Sequence, residues 1–151
     1  MVYAKTPKAA AALSKQVCEH QMKKTYQAVI CGKPVDNVGN FVDYLLKDGK
    51  NNVSKIVDKG INGAKRAELS YRILKTAEAP VDKWEGSKSQ LLSLAEIKLL
   101  TGRHHQIRVQ FAGRGLPLWG DSRYNPQFQK AAGGYRGASV ALAACGLGFV
   151  H

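Results

Sequence analysis

The sequence predicts an α+β fold, with a mixed, largely antiparallel sheet and flanking helices. Segments 24–32 (KTYQAVICG) and 67–74 (AELSYRIL) alternate apolar and polar residues with a period of two, as half-buried strands do. Segment 89–100 (SQLLSLAEIKLL) is apolar enough for the centre of a sheet. The strands follow one another without crossover helices, which favours antiparallel pairing. With 151 residues, the chain has the size of one domain, 1–151.

The first predicted element is a helix. Thr6 is a good N-cap, Pro7 suits the first helical position, and an Ala-rich run continues to about Gln21. Leu13 and Val17 lie four residues apart, so this face of the helix is expected to pack inward. Residues 35–63 are rich in Asn, Asp, Gly and Lys and predict mostly surface loop, with FVDYLL as a short strand or a helical turn.

The second half of the chain contains the segment with the most chemistry, LLTGRHHQIRVQ. We expect a sharp strand-to-helix transition at Gly102, a helix that starts at Arg103, and an end at Gly113 or Gly115. LPLWGDSRYN is then a compact turn in which Asp121 acts as a cap, and PQFQKAAGGYRG is a basic, Gly-rich loop. A final apolar strand is predicted in ASVALAACGLGFV; residues 78–88 predict a turn.

The charge balance points to a polyanionic partner. Lys and Arg number 23 against 11 Asp and Glu, a net charge of +12. Such a field favours nucleic acid, although basic enzymes and basic secreted proteins remain alternatives. No apolar stretch is long enough to span a bilayer and no signal-peptide core is present, so we expect a cytoplasmic protein that binds no membrane. Three scattered cysteines favour reduced thiols.

The residue types in LLTGRHHQIRVQ leave several roles open. Adjacent histidines on a helix point about 100° apart and rarely share one ion, and no zinc set forms around Cys18 and His20, so we expect no metal site. His104 and His105 are interpreted as packing or RNA-facing residues. On a helix beginning at Arg103, Arg103 and Arg108 address different partners; a solvated role for both is equally open. Tyr26 is either a core residue or a platform on which a base stacks.

Three stretches together resemble a known family. LLTGRHHQIRVQFAGRGLPLWGDSRYN resembles the signature of the RluA-like pseudouridine synthases, a TGR-x-HQIRVH run followed by G-x-P-x-x-GD-x-x-Y. VYAKTPKAAAALSKQ…KKTYQAVICG resembles the segment of that family with the core K-x-Y-x-A-x-x-G, and VALAACGLGFVH resembles its closing strand. The resemblance extends from end to end and is weakest between Val35 and Gly63.

The resemblance implies an enzyme that isomerises uridine to pseudouridine in structured ribosomal or transfer RNA, with no cofactor and no obligate protein partner. The base is flipped out of its stack and rejoined through carbon. By motif, Arg108 would pair with the catalytic aspartate, and Tyr26 would pack against the target base. Support for the pocket or for the RNA backbone would come from four residues: Arg103, His105, Gln106 and Lys24.

The sequence departs from the family pattern in ways that define two hypotheses. The catalytic aspartate belongs to an HRLD-x-x-TSGL stretch expected just before Met1, so we expect a fragment trimmed at both ends, inactive alone and prone to marginal folding or edge association. Gln110 replaces a usual His, and we expect no S4-like RNA-binding domain within these 151 residues. The first hypothesis is a synthase domain whose aspartate lies upstream. The alternative is an RNA-binding module or inactive truncated paralogue; a basic protein–protein adaptor is a distant third.

Overall fold

A single antiparallel sheet forms the frame of the molecule. The computed structural model describes residues 2–19, 21–80, 89–129 and 139–150. Within these ranges, six strands pair in the order β3-β2-β4-β5-β1-β6, and every pairing between them is antiparallel. The strands are β1 (Lys23–Cys31), β2 (Val38–Asp48), β3 (Val53–Val57), β4 (Lys65–Pro80), β5 (Ser89–Leu99) and β6 (Leu142–Gly148). The predicted α+β class is confirmed, and so is the interior position of β5.

Three helices flank this sheet: α1 (Pro7–Cys18), α2 (Gln106–Ala112) and α3 (Pro126–Gln129). The predicted start of α1 is confirmed, because the Thr6 hydroxyl accepts a hydrogen bond from the backbone N–H of Ala9 at 3.2 Å. The expected inward face of α1 is wrong: no residue of this helix is buried, and Val17 is 46% exposed. The helix is tied to the chain after β6 by the Gln16 side chain, which exchanges two hydrogen bonds with the backbone of Val150.

The loop predicted for most of residues 35–63 is wrong, because the β2–β3 hairpin occupies much of this segment. The strand alternative for FVDYLL is confirmed, since these residues belong to β2. The polar residues that suggested a loop concentrate in its turn, where Asp48 accepts hydrogen bonds from the backbone N–H of Asn51 at 3.1 Å and from its side-chain amide at 2.7 Å. In β2, Phe41 is buried on the core face while Val42 is 47% exposed on the other. Apolar residues on both faces conceal the period of two that normally reveals a strand.

The hydrophobic core lies between one face of the sheet and α2. Ile107 and Phe111 of the helix pack on inward-facing strand residues, and the Phe111, Phe41 and Tyr71 rings contact one another with centroids 4.8–5.7 Å apart. Tyr26 and Ile73 adjoin this core at partial exposure. The helix that carries the last three residues of the TGRHHQIR motif, Gln106 to Arg108, is therefore fixed directly against the central strands.

Some predictions lie outside the described residues. The turn predicted over 78–88 is covered only at its start, where β4 continues to Pro80, and most of the basic loop over 126–137 is not described beyond α3. The final strand is confirmed as β6. None of the helices in the described ranges has the length and apolar character required to cross a membrane.

Candidate active site

The turn before α2 is organised by the side chain of Gln106. Its amide oxygen accepts hydrogen bonds from the Thr101 hydroxyl at 2.8 Å and from the Arg103 backbone N–H at 2.9 Å, and its amide nitrogen donates to the Glu68 carbonyl at 3.0 Å. Gln106 is buried. It therefore stabilises the turn, and its amide is engaged by protein groups.

The helix begins three residues later than predicted, at Gln106 instead of Arg103, and its C-cap is Gly113 as expected. The sharp change of direction occurs at His105, whose φ of 53° is left-handed. Gly102 has no positive φ, so the predicted reason for a glycine there is wrong. Because Arg103 precedes the helix, the premise that Arg103 and Arg108 belong to one helix is wrong.

Arg108 and Asp121 form the most buried ion pair among the described residues. Arg108 Nε and Nη2 donate to the two carboxylate oxygens at 2.8 and 2.6 Å, and the side chains are 15% and 0% exposed. Asp121 also accepts from the backbone N–H groups of Arg123 and Tyr124 at 2.9 and 3.1 Å, which confirms the predicted turn cap. A bidentate, capped pair of this kind holds the guanidinium in one orientation.

The electrostatics of the pair follow from its contacts. Burial alone raises the pKa of Asp121, but the hydrogen bonds from Arg108 and from the two backbone N–H groups outweigh it and hold the pKa of this carboxyl below its usual 3.8. The hydrogen bond to Asp121 raises the pKa of Arg108. Both groups are therefore charged at neutral pH. Within the described ranges, Arg108 Nη1 makes no hydrogen bond to protein, so one edge of the fork remains open.

A chain of aromatic contacts connects Arg108 to the β2–β3 hairpin. The Arg108 guanidinium lies 5.0 Å from the Tyr124 ring centroid, and the Tyr124 hydroxyl accepts from the Ser54 backbone N–H at 2.8 Å and lies 2.9 Å from His105 Nδ1. The rings of His105 and His104 stack with centroids 3.8 Å apart. The two histidines therefore pack against each other and against the hairpin.

Both rings of this pair are held neutral at physiological pH. Burial, followed by the charge of Arg108, lowers the pKa of His105 from 6.5 to about 4. Burial, followed by the charge of Lys47, lowers the pKa of His104. A neutral His105 ring with Nδ1 unprotonated accepts the hydrogen bond of the Tyr124 hydroxyl. No group of three or more His, Cys, Asp or Glu side chains suited to a metal ion occurs among the residues that the structure describes.

Tyr26 and Lys24 lie on β1, whereas Arg108 lies on α2 and Asp121 in the turn that follows it. Both belong to the sheet face that α2 covers, because Tyr26 pairs with Ile97 and Lys24 with Leu99 in the antiparallel register. The Tyr26 hydroxyl has no hydrogen-bond partner in the described part of the chain. The structure thus places Tyr26 on the edge of the core, half-buried, with its polar end unoccupied by protein.

Sequence reasoning missed three residues of this site: Asp121 as the partner of Arg108, Tyr124 as the contact between histidine and arginine, and Ser54 on the hairpin. Thirteen residues separate Arg108 from Asp121. Only the reversal of the chain between α2 and β6 brings them together, so no local spacing reveals the pair. The expectation that Arg108 has its carboxylate partner outside the chain is incomplete, since a partner is present within it.

Comparison with known proteins identifies the family to which this arrangement belongs. The sequence profile described as RNA pseudouridylate synthase matches residues 1–113, which include β1, β5 and the whole of α2. The chain belongs to this family. The profile ends at the C-cap of α2, so Asp121 and Tyr124 lie just outside the matched residues.

Individual pseudouridine synthases agree with this assignment. The chain is 36% identical to tRNA pseudouridine synthase C of Pectobacterium carotovorum over 127 residues. The aligned region covers 82% of the chain and 32% of that protein. It is 30% identical to ribosomal large subunit pseudouridine synthase D of Zymomonas mobilis over 154 residues, 100% of the chain and 44% of that protein. The chain thus spans about a third to under half the length of these relatives.

Solved structures show the same fold. Human RNA pseudouridylate synthase domain containing 1 superimposes with a TM-score of 0.74 at 22% identity, over 95% of the chain and 56% of the human one. Human RNA pseudouridylate synthase domain containing 4 superimposes with a TM-score of 0.61 at 19% identity. The match covers 80% of the chain and 45% of that human one. The predicted synthase fold is therefore confirmed by family, sequence and architecture.

Proposed function

We propose that this chain supplies most of the active site of an RNA pseudouridine synthase, which isomerises uridines of ribosomal or transfer RNA without a cofactor. The observation that supports this most directly is the Arg108–Asp121 pair. It lies in the TGRHHQIR…GD motif of a family member, buried on one side and with Arg108 Nη1 open on the other. A guanidinium fixed by one carboxylate can orient a second one at its remaining edge.

The second carboxylate in this proposal is the catalytic aspartate that the family motif order puts N-terminal to Met1. Arg108 would keep it ionised and oriented, since an opposite charge in a partly dry pocket favours the charged form. Asp121 is then a positioning residue that acts through Arg108. The reaction breaks the bond between ribose and the uracil nitrogen and forms one to a ring carbon, so no atom is gained or lost.

Tyr26 is proposed to contact the flipped uracil. It is half-buried at the margin of the core, beside Lys24 on the same strand face, and its hydroxyl is unoccupied by described protein groups. An aromatic ring next to positive charge is the usual platform for a nucleobase. Lys24, Arg103 and His105 are proposed to contact RNA or to support this pocket, with Gln106 fixing the turn that carries two of them.

The net charge of +12 supports RNA as the partner, because Lys and Arg that neutralise phosphates release counterions. The cysteines at 18, 31 and 145 are free thiols, which is typical of a reducing compartment, and we propose that the protein acts in the cytoplasm without an obligate protein partner.

An extended chain tests the proposal. A version that carries the HRLD stretch ahead of Met1 is expected to convert uridine in a tRNA or large-subunit rRNA transcript, measured by mass shift after cyanoethylation of pseudouridine. The 151-residue chain is expected to bind the same transcript without converting it. Conversion by the short chain would show that the nucleophile lies within it. Binding by the extended chain with no conversion of any transcript would favour the RNA-binding module instead.

Variants of the extended chain test the residue roles. Tyr26→Leu removes the stacking ring and is expected to lower conversion about 100-fold or more, whereas Tyr26→Phe keeps the ring and reports the hydroxyl alone. Arg108→Lys keeps the charge but not the fork, and is expected to lower kcat while RNA binding changes little. The matched control is Arg114→Lys, which alters an arginine paired with Asp43 outside the site. Equal losses in both arginine variants would contradict the role of Arg108.

A further inference from the structure

A concave region lies beside the turn before α2, on the sheet face that α2 covers. It is a pocket of about 200 Å³ whose walls include Lys47, Lys65, Arg103, His104 and Ser54. The register explains why these residues meet. Lys65 pairs with Leu45 on β2, and Ser54 of β3 pairs with Lys47, so both lysines project from the core face where the sheet extends past α2.

The pocket has three cationic side chains and no carboxylate in its wall. In the described part of the chain, neither lysine nor Arg103 forms an ion pair. The acidic side chains of the strands that bear the lysines are engaged elsewhere. Asp43 binds Arg114, Glu68 binds Arg66, Asp48 binds Asn51 and Glu78 accepts from Ser89. Three cations without counter-charge constitute a site for an anion.

The wall is also organised before any ligand arrives. Arg103 Nε donates to the Arg66 carbonyl at 2.9 Å, which fixes the guanidinium with its Nη groups still available. His104 is held between the Ser54 hydroxyl, 2.9 Å from Nδ1, and the Asn52 side-chain oxygen, 3.0 Å from Nε2. A planar fork with two ammonium groups beside it suits a tetrahedral oxyanion such as a phosphate.

The pocket is continuous with the candidate active site. His104 in its wall stacks on His105 at 3.8 Å, His105 meets the Tyr124 hydroxyl at 2.9 Å, and the Tyr124 ring lies 5.0 Å from the Arg108 guanidinium. A series of three side-chain contacts therefore connects an anion at this position to the proposed reaction centre.

We propose that Lys47, Lys65 and Arg103 bind a backbone phosphodiester of the RNA substrate next to the nucleotide that is modified. The inference rests on the proposed function, and it adds Lys47 and Lys65 to the residues that contact RNA. Such a contact positions the substrate without reading its sequence.

The first test measures binding of the 151-residue chain to a tRNA transcript by fluorescence anisotropy across a salt series. The double variant Lys47→Gln/Lys65→Gln is expected to bind about tenfold more weakly at 0.1 M salt, with a log–log salt slope smaller by about 1. The matched control is Lys75→Gln/Lys98→Gln, which removes the same charge from exposed lysines whose strand positions put them on the opposite sheet face. It is expected to weaken binding less than threefold. Circular dichroism melting verifies that both variants are folded.

The outcomes separate the inference from the function. If the chain binds RNA and both double variants weaken it equally, the pocket has no special role and the inference is overturned while the proposed function stands. If the chain binds no RNA transcript at any salt concentration, the inference is overturned, and conversion of a transcript by the extended chain still decides the proposed function.

A second test distinguishes an RNA phosphate from a free one. Single neutral methylphosphonate linkages are moved along the transcript. At one linkage, the protein without substitutions is expected to lose about tenfold in affinity for the transcript. The double variant is expected to lose no further affinity at that linkage. If no linkage shows this coupling, while inorganic phosphate shifts the His104 ring resonances at submillimolar concentration, the pocket binds a free phosphate and the RNA assignment is wrong.

Discussion

The two edges of the sheet are built in opposite ways. Strand β3, at one edge, has five residues, and its Ser54 is buried and bonded to Tyr124 and to His104. Strand β6, at the other edge, has seven residues, LAACGLG, without a charge, and five consecutive ones are exposed. One edge is thus fixed to the candidate site by polar contacts, while the other presents small apolar residues to solvent.

The difference shows which edge strand is bonded to residues of the candidate site and which is not. Edge strands are usually protected by charges, prolines, bulges or a covering element. Lys55 and the packing of Ser54 protect β3, whereas β6 carries neither a charged residue nor a proline. We therefore expect perturbations at the β3 end to unfold the domain, and perturbations of β6 to change its association instead.

The largest expected effect is at Asp121. Asp121→Asn leaves the Arg108 guanidinium with an uncompensated charge in a buried position and is expected to lower the free energy of unfolding by about 3–5 kcal/mol. Asp43→Asn breaks the Arg114 pair, whose side chains are 13% and 31% exposed, and is expected to cost about 1 kcal/mol. Urea denaturation of both variants measures the difference. Equal losses would show that burial of the Arg108 pair contributes no additional stability.

An intermediate effect is expected from pH. Because the pKa of His105 is lowered from 6.5 to about 4, the unfolded chain binds a proton in this window that the folded chain does not, so stability falls as pH falls from 6.5 towards 4. His105→Asn removes this titration and is expected to flatten the decline. The pKa of Asp121 is below 3.8, so the stability that its ionised form contributes is lost at lower pH. Thermal melts at half-unit pH intervals test this; identical slopes in both proteins would contradict it.

The smallest effect on stability is expected at β6. Ala143 is exposed and pairs with Gln27, so Ala143→Lys introduces an edge charge without a like charge opposite. We expect the free energy of unfolding to change by less than about 0.5 kcal/mol, while self-association at high concentration declines. Sedimentation velocity over a concentration series measures this. Leu74→Lys, at an exposed residue of β4, is the control; if it reduces association equally, the effect is one of net charge and not of the edge.

Sequence reasoning succeeded for several patterns that lie within one element. The Thr6–Pro7 start of α1, the strand at Tyr26, the interior strand β5 and the end of α2 at Gly113 each follow from residues within one element. It failed for the β2–β3 hairpin, because apolar residues on both faces removed the alternation. It also failed at Gly102, because the left-handed residue is His105.

By itself, the sequence determined the fold class, the basic character that favours RNA, and the family, since these depend on composition, periodicity and a contiguous motif. Only the tertiary structure decided which groups meet. The carboxylate that binds Arg108 comes from a turn thirteen residues away. Ser54, which donates its backbone N–H to Tyr124 and places its hydroxyl against His104, belongs to a hairpin 70 and 50 residues before them. The physical reason is that an ion pair or hydrogen bond depends on distance in space, which is set by how the sheet and α2 pack and not by separation along the chain.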